Sequence, residues 1–482
     1  MAPAPWKRRR PWRRRWRAPP RSRPRGTRCS SPLPAPALTC SETSRSEARC
    51  FAARCGGCVR GGIRLDIAAD PWPGPSRGVC RGPEPRGSTG STWNWRALLP
   101  ARGSEANRPP ADRLLLVVTL VLVGLGIVML YSASAIRAQE RFGDPAFFLK
   151  KQFVYAVLGL LAMAWAAGRD LKTFQRLTPI LFLGSLFLLL LVLVPYVGIR
   201  INGARRWIRI FGLSFQPAEL AKLAVIFFLA SYFARRQDRL DSYLDGLVPP
   251  LFLTGLMAGL IILQPNFGTA AILVGVAAVI FFVGGARITH LVATGVAVMP
   301  VLLFLILRSS HGRTRLLALV DPGRASATAT YQAVQSTYAL GPGGLLGRGL
   351  GDSMQKLFFL PEPHTDFIFA IVGEEMGFLG CMLVLLLFGL FLWRGTRAAV
   401  RAGDPYACYL AMGITGLTVG QAALNMAVVS GLLPTTGVPL PFVSFGGSSL
   451  TIMLFGVGIL LSISRRSARP FGDGNAKWKT DN

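Results

Sequence analysis

Residues 114–134 read LLLVVTLVLVGLGIVMLYSAS: 21 residues, none of them charged. About 20 consecutive apolar residues cross the hydrocarbon of a bilayer as one α-helix. The stretch is the first of ten such blocks: Leu114–Ser134, Gln152–Gly168, Leu177–Val197, Pro217–Ala234, Val248–Gln264, Phe267–Gly285, Ile288–Leu307, Phe367–Trp393, Tyr406–Ser430 and Phe442–Ser464. Only Pro265 and Asn266 part the fifth block from the sixth, which predicts a tight helical hairpin. The predicted fold class is all-α: a polytopic membrane protein of about ten transmembrane helices. One connection is long. Residues 308–366 are rich in glycine and form the single large loop, between helices 7 and 8; a loop of that length in a compact protein is usually functional. No internal repeat is visible, which argues against many transporter folds.

The bulk composition agrees. Of 482 residues 51% are apolar, only 16% are charged, and mean hydropathy is +0.41; a soluble domain carries about 25% charged residues. The formal net charge of +31 suggests nucleic acid as a partner until it is divided along the chain. Residues 1–112 hold 23 Lys and Arg against 7 Asp and Glu. They are rich in Arg, Pro, Gly and Ser, have no apolar periodicity, and are expected to be disordered. Such a leader is also what translation from an upstream start codon in a high-GC gene yields. Its Arg-rich start is not followed by an apolar run, so no signal peptide is expected. Six of the eight cysteines lie in it without zinc-site spacing or a histidine, while Cys381 and Cys408 sit in apolar blocks as buried thiols. The body is residues 113–466, followed by a short tail, 467–482. With both termini inside, Lys and Arg are nearly equal on the two faces, so the positive-inside rule orients the chain weakly. The outer cations suit headgroup snorkelling or an anionic substrate, and no nucleic acid is expected.

Four clusters carry candidate chemistry. The first is Gly343–Gly380, GGLLGRGLGDSMQKLFFLPEPHTDFIFAIVGEEMGFLG, whose glycines allow close backbone approach but which lacks the P-loop pattern. Within it Asp366 stands at the mouth of the eighth helix, where a carboxylate can be ionised yet partly desolvated, as a general base requires. Alternatively, Thr365 or Asp366 simply caps that helix. The second, Glu374 and Glu375, follows two turns deeper; Glu374 lies about 12 Å below Asp366 and roughly 80° around the helix. Intramembrane carboxylates are functional or paired, and Lys222, one turn from Glu219 on the fourth helix, is a partner available to Glu374. The third cluster, Arg200 to Arg209, mixes Arg206 and Trp207 with further arginines and suits either lipid headgroups or pyrophosphate. In the fourth, Gly431 to Ser449, glycines and prolines imply irregular backbone lining a cavity or water. Its hydroxyls, Ser444, Ser448 and Ser449, meet a sugar or pack helices.

Taken together, Tyr131-Ser-Ala-Ser, Arg206-Trp207, Gln216-Pro-Ala-Glu219-Leu-Ala-Lys222, Gln264-Pro-Asn-Phe-Gly268, Tyr331-Gln-Ala-Val-Gln335-Ser336, Pro361 to Phe369, Glu374-Glu375 and Leu433 to Ser449 resemble the SEDS family (shape, elongation, division and sporulation; FtsW, RodA and SpoVE). The resemblance covers about residues 114–466. The run Gly349 to Lys356, followed by Phe359 to Asp366, is closer to the division type. Where the family pattern has Asp in its QPDxG stretch, this chain has Asn266.

The resemblance implies a ten-helix peptidoglycan glycosyltransferase. It would polymerise lipid II on the outer face of the bacterial cytoplasmic (inner) membrane during septal wall synthesis and release undecaprenyl pyrophosphate. It implies a class B penicillin-binding protein as transpeptidase partner, other divisome membrane proteins, and a divalent cation, Mg²⁺ or Mn²⁺, of unknown ligands; no organic cofactor is expected. The family's essential loop Asp matches Asp366. Substrate binding is expected at Arg206, Trp207, Glu219, Lys222, Gln335, Lys356, His364, Thr365, Glu374, Ser444, Ser448 and Ser449. The competing readings are a lipid II flippase, which needs a midplane site, and a non-catalytic divisome scaffold.

Overall fold

A computed structural model describes residues 111–201, 204–210, 212–237, 243–320, 327–357, 359–361 and 363–467. Residues 1–110 of the expected disordered leader and the last residues of the tail lie outside the described residues; Asp112, placed in that leader by the sequence reading, is ordered. The helices are α1 (Arg113–Phe142), α2 (Phe147–Ala167), α3 (Leu171–Leu191), α4 (Pro217–Arg235), α5 (Val248–Leu263), α6 (Phe267–Val283), α7 (Ile288–Arg308), α8 (Ser310–Val320), α9 (Ala327–Leu340), α10 (Ile368–Val400), α11 (Pro405–Val429) and α12 (Ser448–Ser467). Among the described residues nine helical stretches are long and apolar enough to cross a membrane; α5 counts with the short π-helical turn Tyr243–Leu247 before it, and α6, at 17 residues, is a shorter apolar helix. The expectation of about ten spans agrees with this set. The long connection before α10 is not one open loop, since it contains α8 and α9.

The local signals explain most boundaries. Asp112 caps α1, its Oδ1 accepting from the Leu115 amide, and Gly143 ends that helix in the left-handed region. The same Asp112 carboxylate pairs with Arg394 of α10 at 2.6 Å, tying two helix ends together. Asn266 separates α5 from α6 by capping α6, its Oδ1 accepting from the Thr269 amide. This accounts for the residue without any charge. Three starts differ from expectation. The second helix begins at Phe147 rather than Gln152, because Lys150 and Lys151 interrupt the apolar run in its first turns. The third helix begins at Leu171 rather than Leu177, because its first two turns are polar (Lys172, Thr173, Gln175, Arg176) and carry no apolar signal. The last begins at Ser448 rather than Phe442, because residues 442–447 are irregular.

The body is not wholly helical. Residues 199–215 form a three-stranded antiparallel sheet, β1 (Ile199–Ile201), β2 (Ala204–Ile210) and β3 (Leu213–Phe215), in the order β1-β2-β3. Trp207 pairs with Ile199, and Arg209 with Ser214. The strands are too short to be told from a loop by periodicity, and they stiffen the segment that carries Arg206. The core gathers around α4, where Phe227 and Phe233 are fully buried against Phe174 of α3 and Phe281 of α6. In contrast, α7 has no buried residue along its length.

Candidate active site

The connection between α11 and α12 builds one wall of the site. Pro434, Pro439 and Pro441 prevent helix there, and Gly437 takes φ +72°, the left-handed region open to glycine. A Cβ at Gly437 would stand 3.4 Å from Asp366 Oδ2 and 3.9 Å from Arg315 Nη1. The carboxylate and the guanidinium therefore meet over this glycine. Asn425 of α11, almost fully buried, clamps the arrangement: its Nδ2 donates to the Asp366 carbonyl at 2.8 Å and to the Val438 carbonyl at 2.7 Å. Helix α10 is capped at Phe367, with no side-chain hydrogen bond to the cap. Asp366 thus stands one residue before the position at which the helix is capped.

Asp366 opens into a cavity of about 590 Å³. Five cations line it, Arg141, Lys151, Arg206, Arg209 and Arg315, and among the described lining residues Asp366 is the sole carboxylate. Apolar surface from Phe148, Trp207 and Phe445 completes the wall. Arg206 donates from Nε to the Gln264 carbonyl at 2.9 Å and from Nη2 to the Pro265 carbonyl. Burial, together with the like charge of Arg315, pulls its pKa down to about 10, and Asp366 opposes that shift. Arg315 is lowered by burial and supported by Asp366 in the same way. Two partly desolvated guanidinium groups facing one carboxylate leave net positive charge, a setting for a substrate with several negative charges.

The expected site residues divide into two groups. Asp366, Thr365, Arg206, Trp207 and Ser449 line the cavity. The others stand outside its wall. Glu219 pairs with Lys222 at 2.9 Å, both buried, and Ser449 Oγ donates to Glu219 at 2.7 Å. Lys222 Nζ donates to Gln421 Oε1 at 2.6 Å, and Gln421 in turn donates to the Pro439 carbonyl. The pair thereby braces the wall behind Gly437. Lys222 does not meet Glu374, because Glu219 stands one turn away on the same helix and takes the ammonium. Glu374 instead accepts from Ser353 Oγ and from the amides of Met354 (2.9 Å) and Gln355 (3.3 Å). Glu375 binds Lys356 Nζ at 3.2 Å and Ser132 Oγ at 2.6 Å. Glu374 and Lys356 hence hold the long connection to the bundle rather than line the cavity. Ser444 and Ser448 accept from the amides of Leu440 and Gln216, tying backbone in place. Gln335 is half-buried on α9, away from the cavity wall.

His364 is buried between Phe148 (ring centroids 4.5 Å apart) and Phe445, and its carbonyl accepts from the Phe445 amide. Burial, with Arg137 and Arg141 nearby, pushes its pKa down to about 4 from 6.5. The unfolded chain therefore takes up this proton first as pH falls. The stabilising contribution is complete above about pH 6.5 and is lost progressively toward pH 4, by roughly 3 kcal/mol at most. Thermal unfolding of the detergent-solubilised protein checks this. Wild type should lose more stability than His364→Gln between pH 7 and 4.5, and parallel losses would refute it. A second prediction concerns Gly437→Ala. It should cost about 1–2 kcal/mol for a side chain in the left-handed region and set a methyl against the Asp366 carboxylate. Turnover should fall in a protein that still folds; unchanged turnover would show that this contact is immaterial.

Sequence reasoning passed over Arg315, Asn425 and Gln421. Arg315 sits in a segment read as loop and carried no signal beyond being one of several outer cations. Gln421 and Asn425 were legible: two amides four residues apart inside an apolar block lie on one helix face and need polar partners.

A divalent cation fits this site poorly. Among the described residues no three His, Cys, Asp or Glu side chains gather to hold a metal. Asp366 faces Arg206 and Arg315, which already occupy the place of a counter-charge. The cation that the resemblance implies remains a proposal.

A polytopic helical membrane protein with a carboxylate in a cationic cavity is the class that fold and site define. The chain belongs to the FtsW/RodA/SpoVE family of cell cycle proteins, whose pattern matches residues 112–469. It is 44% identical over 356 residues to stage V sporulation protein E of Bacillus subtilis, covering 74% of this chain and 97% of that one. It is 42% identical over 355 residues to a probable peptidoglycan glycosyltransferase FtsW of Geobacter sp. strain M18, again 74% and 97%. Among solved structures it is similar to a chain of a peptidoglycan synthase complex that coordinates polymerisation and crosslinking (TM-score 0.62, 31% identity, 75% of this chain and 99% of that one). It is also similar to the Thermus thermophilus rod shape determining protein RodA (TM-score 0.56, 30% identity, 75% and 98%).

Proposed function

We propose that the chain polymerises lipid II into glycan strands during septal wall synthesis, with Asp366 as the base. It is a peptidoglycan glycosyltransferase acting in cell-wall synthesis. The observation that carries the mechanism is the carboxylate, single among the described lining residues, held against Arg206 and Arg315 in the cavity. Asp366 removes the proton of the acceptor sugar's 4-hydroxyl as that oxygen attacks the donor's anomeric carbon. The new C–O bond forms with inversion, the bond to the lipid pyrophosphate breaks, and both electrons leave with the phosphate oxygen. A glycosidase needs a second carboxyl group to protonate a poor leaving group. Pyrophosphate needs only its charge neutralised, and Arg206, Arg315, Arg209 and Lys151 are placed for that. Trp207, Thr365 and Ser449 shape the remaining wall.

The reaction belongs on the outer face of the cytoplasmic membrane, with both termini inside, because lipid II is consumed where the wall is built. A class B penicillin-binding protein is the proposed transpeptidase partner, alongside other divisome proteins. The similarity to a subunit of a peptidoglycan synthase complex supports such an assembly, and the sporulation and FtsW relatives support the septal role. A flippase would need a midplane site, yet Glu219, Lys222, Glu374 and Glu375 are engaged in contacts within the protein. Purified protein given fluorescent lipid II, with and without a class B transpeptidase, tests the reading. Glycan ladders are expected, and lipid II translocation with no polymer would sink it in favour of the flippase.

A further inference from the structure

Helix α10 is broken at Gly377 (φ 66°, ψ −161°). The break opens the helix's hydrogen-bond ladder, and the glycine-rich stretch of the long connection fills it. Arg348 and Gly349 donate their amides to the carbonyls of Glu374 and Glu375, while the amides of Phe378 and Leu379 donate to the carbonyls of Gly344 and Leu345. The two backbones come so close that a Cβ on Gly343 or Gly347 would overlap the carbonyl oxygens of Gly373 and Glu375. Irregular backbone survives at membrane depth only when its polar groups are satisfied in this way.

The depth follows from the other end of the bundle. Trp393 and the Arg394–Asp112 pair mark one edge of the hydrocarbon on α10 and α1. About 20 residues cross it. Counting back along α10 leads to Glu374, and counting forward along α1 leads to Ser132. Glu375 and Ser132 are hydrogen-bonded to each other, so the two counts meet at one level. Phe378 and Leu379 lie just inside that level and are exposed, as lipid-facing residues are. Leu345, bonded opposite Leu379, is 72% exposed, and its neighbour Leu346 is 77% exposed. These are large apolar side chains uncovered by protein and continuous with the lipid-facing surface of α10. Arg348 stands 3.6 Å from Glu374, at the level where a guanidinium meets headgroups.

We propose that residues 343–349 form a shallow re-entrant segment, with Leu345 and Leu346 immersed in the outer hydrocarbon of the bilayer. The long connection is therefore anchored to lipid as well as to protein. Through Lys356, Ser353 and the two glutamates, the anchor holds the chain that leads into Asp366.

Site-directed fluorescence tests this without requiring turnover. The full chain, its native cysteines replaced, carries Leu346→Cys labelled with a nitrobenzoxadiazole probe and is reconstituted into phosphatidylethanolamine–phosphatidylglycerol vesicles. Leu345→Cys is a second site, and Lys150→Cys, on a well-exposed side chain, is the water control. Blue-shifted emission is expected at 346 and 345, quenched more by lipid nitroxides near the headgroup than by those at the chain ends, and insensitive to iodide. The control should show the reverse. Iodide quenching without lipid quenching at both leucines overturns the proposal, as does quenching only by the deep nitroxide. Protection that appears only when a partner protein is added would assign the leucines to a protein interface and overturn it equally.

Discussion

Asp366→Asn is expected to lower lipid II polymerisation by roughly 10²–10⁴-fold, the usual contribution of a positioned general base, in a protein that still folds. Asparagine keeps the shape of the side chain and cannot take the acceptor's proton. It also leaves Arg206 and Arg315 without their carboxylate, so the lipid pyrophosphate should still bind. The informative pair of measurements is therefore turnover and substrate affinity. Turnover should collapse while affinity for lipid II is kept or improved. Polymerisation by the folded variant near the wild-type rate would remove Asp366 from the role of base. Equal loss of both would point instead to a collapsed cavity, which the melting temperature of the variant would reveal.

The second large effect is one of stability. Lys222→Met strands the Glu219 carboxylate in a buried site with Ser449 as its remaining partner. Removing one member of a buried pair costs about 3–5 kcal/mol, enough to threaten the fold of a protein of ordinary stability. The wall behind Gly437 should loosen too, because Lys222 reaches that wall through Gln421 and the Pro439 carbonyl. Removing both charges, as Glu219→Leu with Lys222→Met, should recover stability relative to either single variant, since no uncompensated charge remains. Thermal unfolding in detergent distinguishes the cases. Simple addition of the two single losses would mean that the ion pair is not the unit that matters.

Much of this was legible from residue order, and the reasons are local. Apolar blocks of about 20 residues name their own spans but not their ends: the first block closes at Ser134, whereas α1 runs on to Phe142 through polar turns. Asp366 drew attention because a carboxylate stood where a chain enters a membrane. The three strands of residues 199–215 were hidden, because runs of three to seven residues show no reliable period. The start of α3 was hidden for the opposite reason: its helix is real, but its first turns are polar. The partners of Glu374 and Lys222 are not legible in the sequence. Both are buried charges seeking partners, and nothing in the sequence says which partner is nearer in space.

The sequence alone determined the class of molecule, the approximate number of spans, the division of the +31 charge into a leader and a membrane body, and the identity of the catalytic candidate. Each depends on composition or on neighbours a few residues apart. Only the tertiary structure decided what surrounds that candidate. Arg315, from the long connection, Arg206, from a strand more than a hundred residues earlier, and Gly437 with Asn425, some sixty to seventy residues later, converge on Asp366. Charge and hydrogen bonding act through space over a few ångströms, and the folded chain alone fixes which distant residues come within that range.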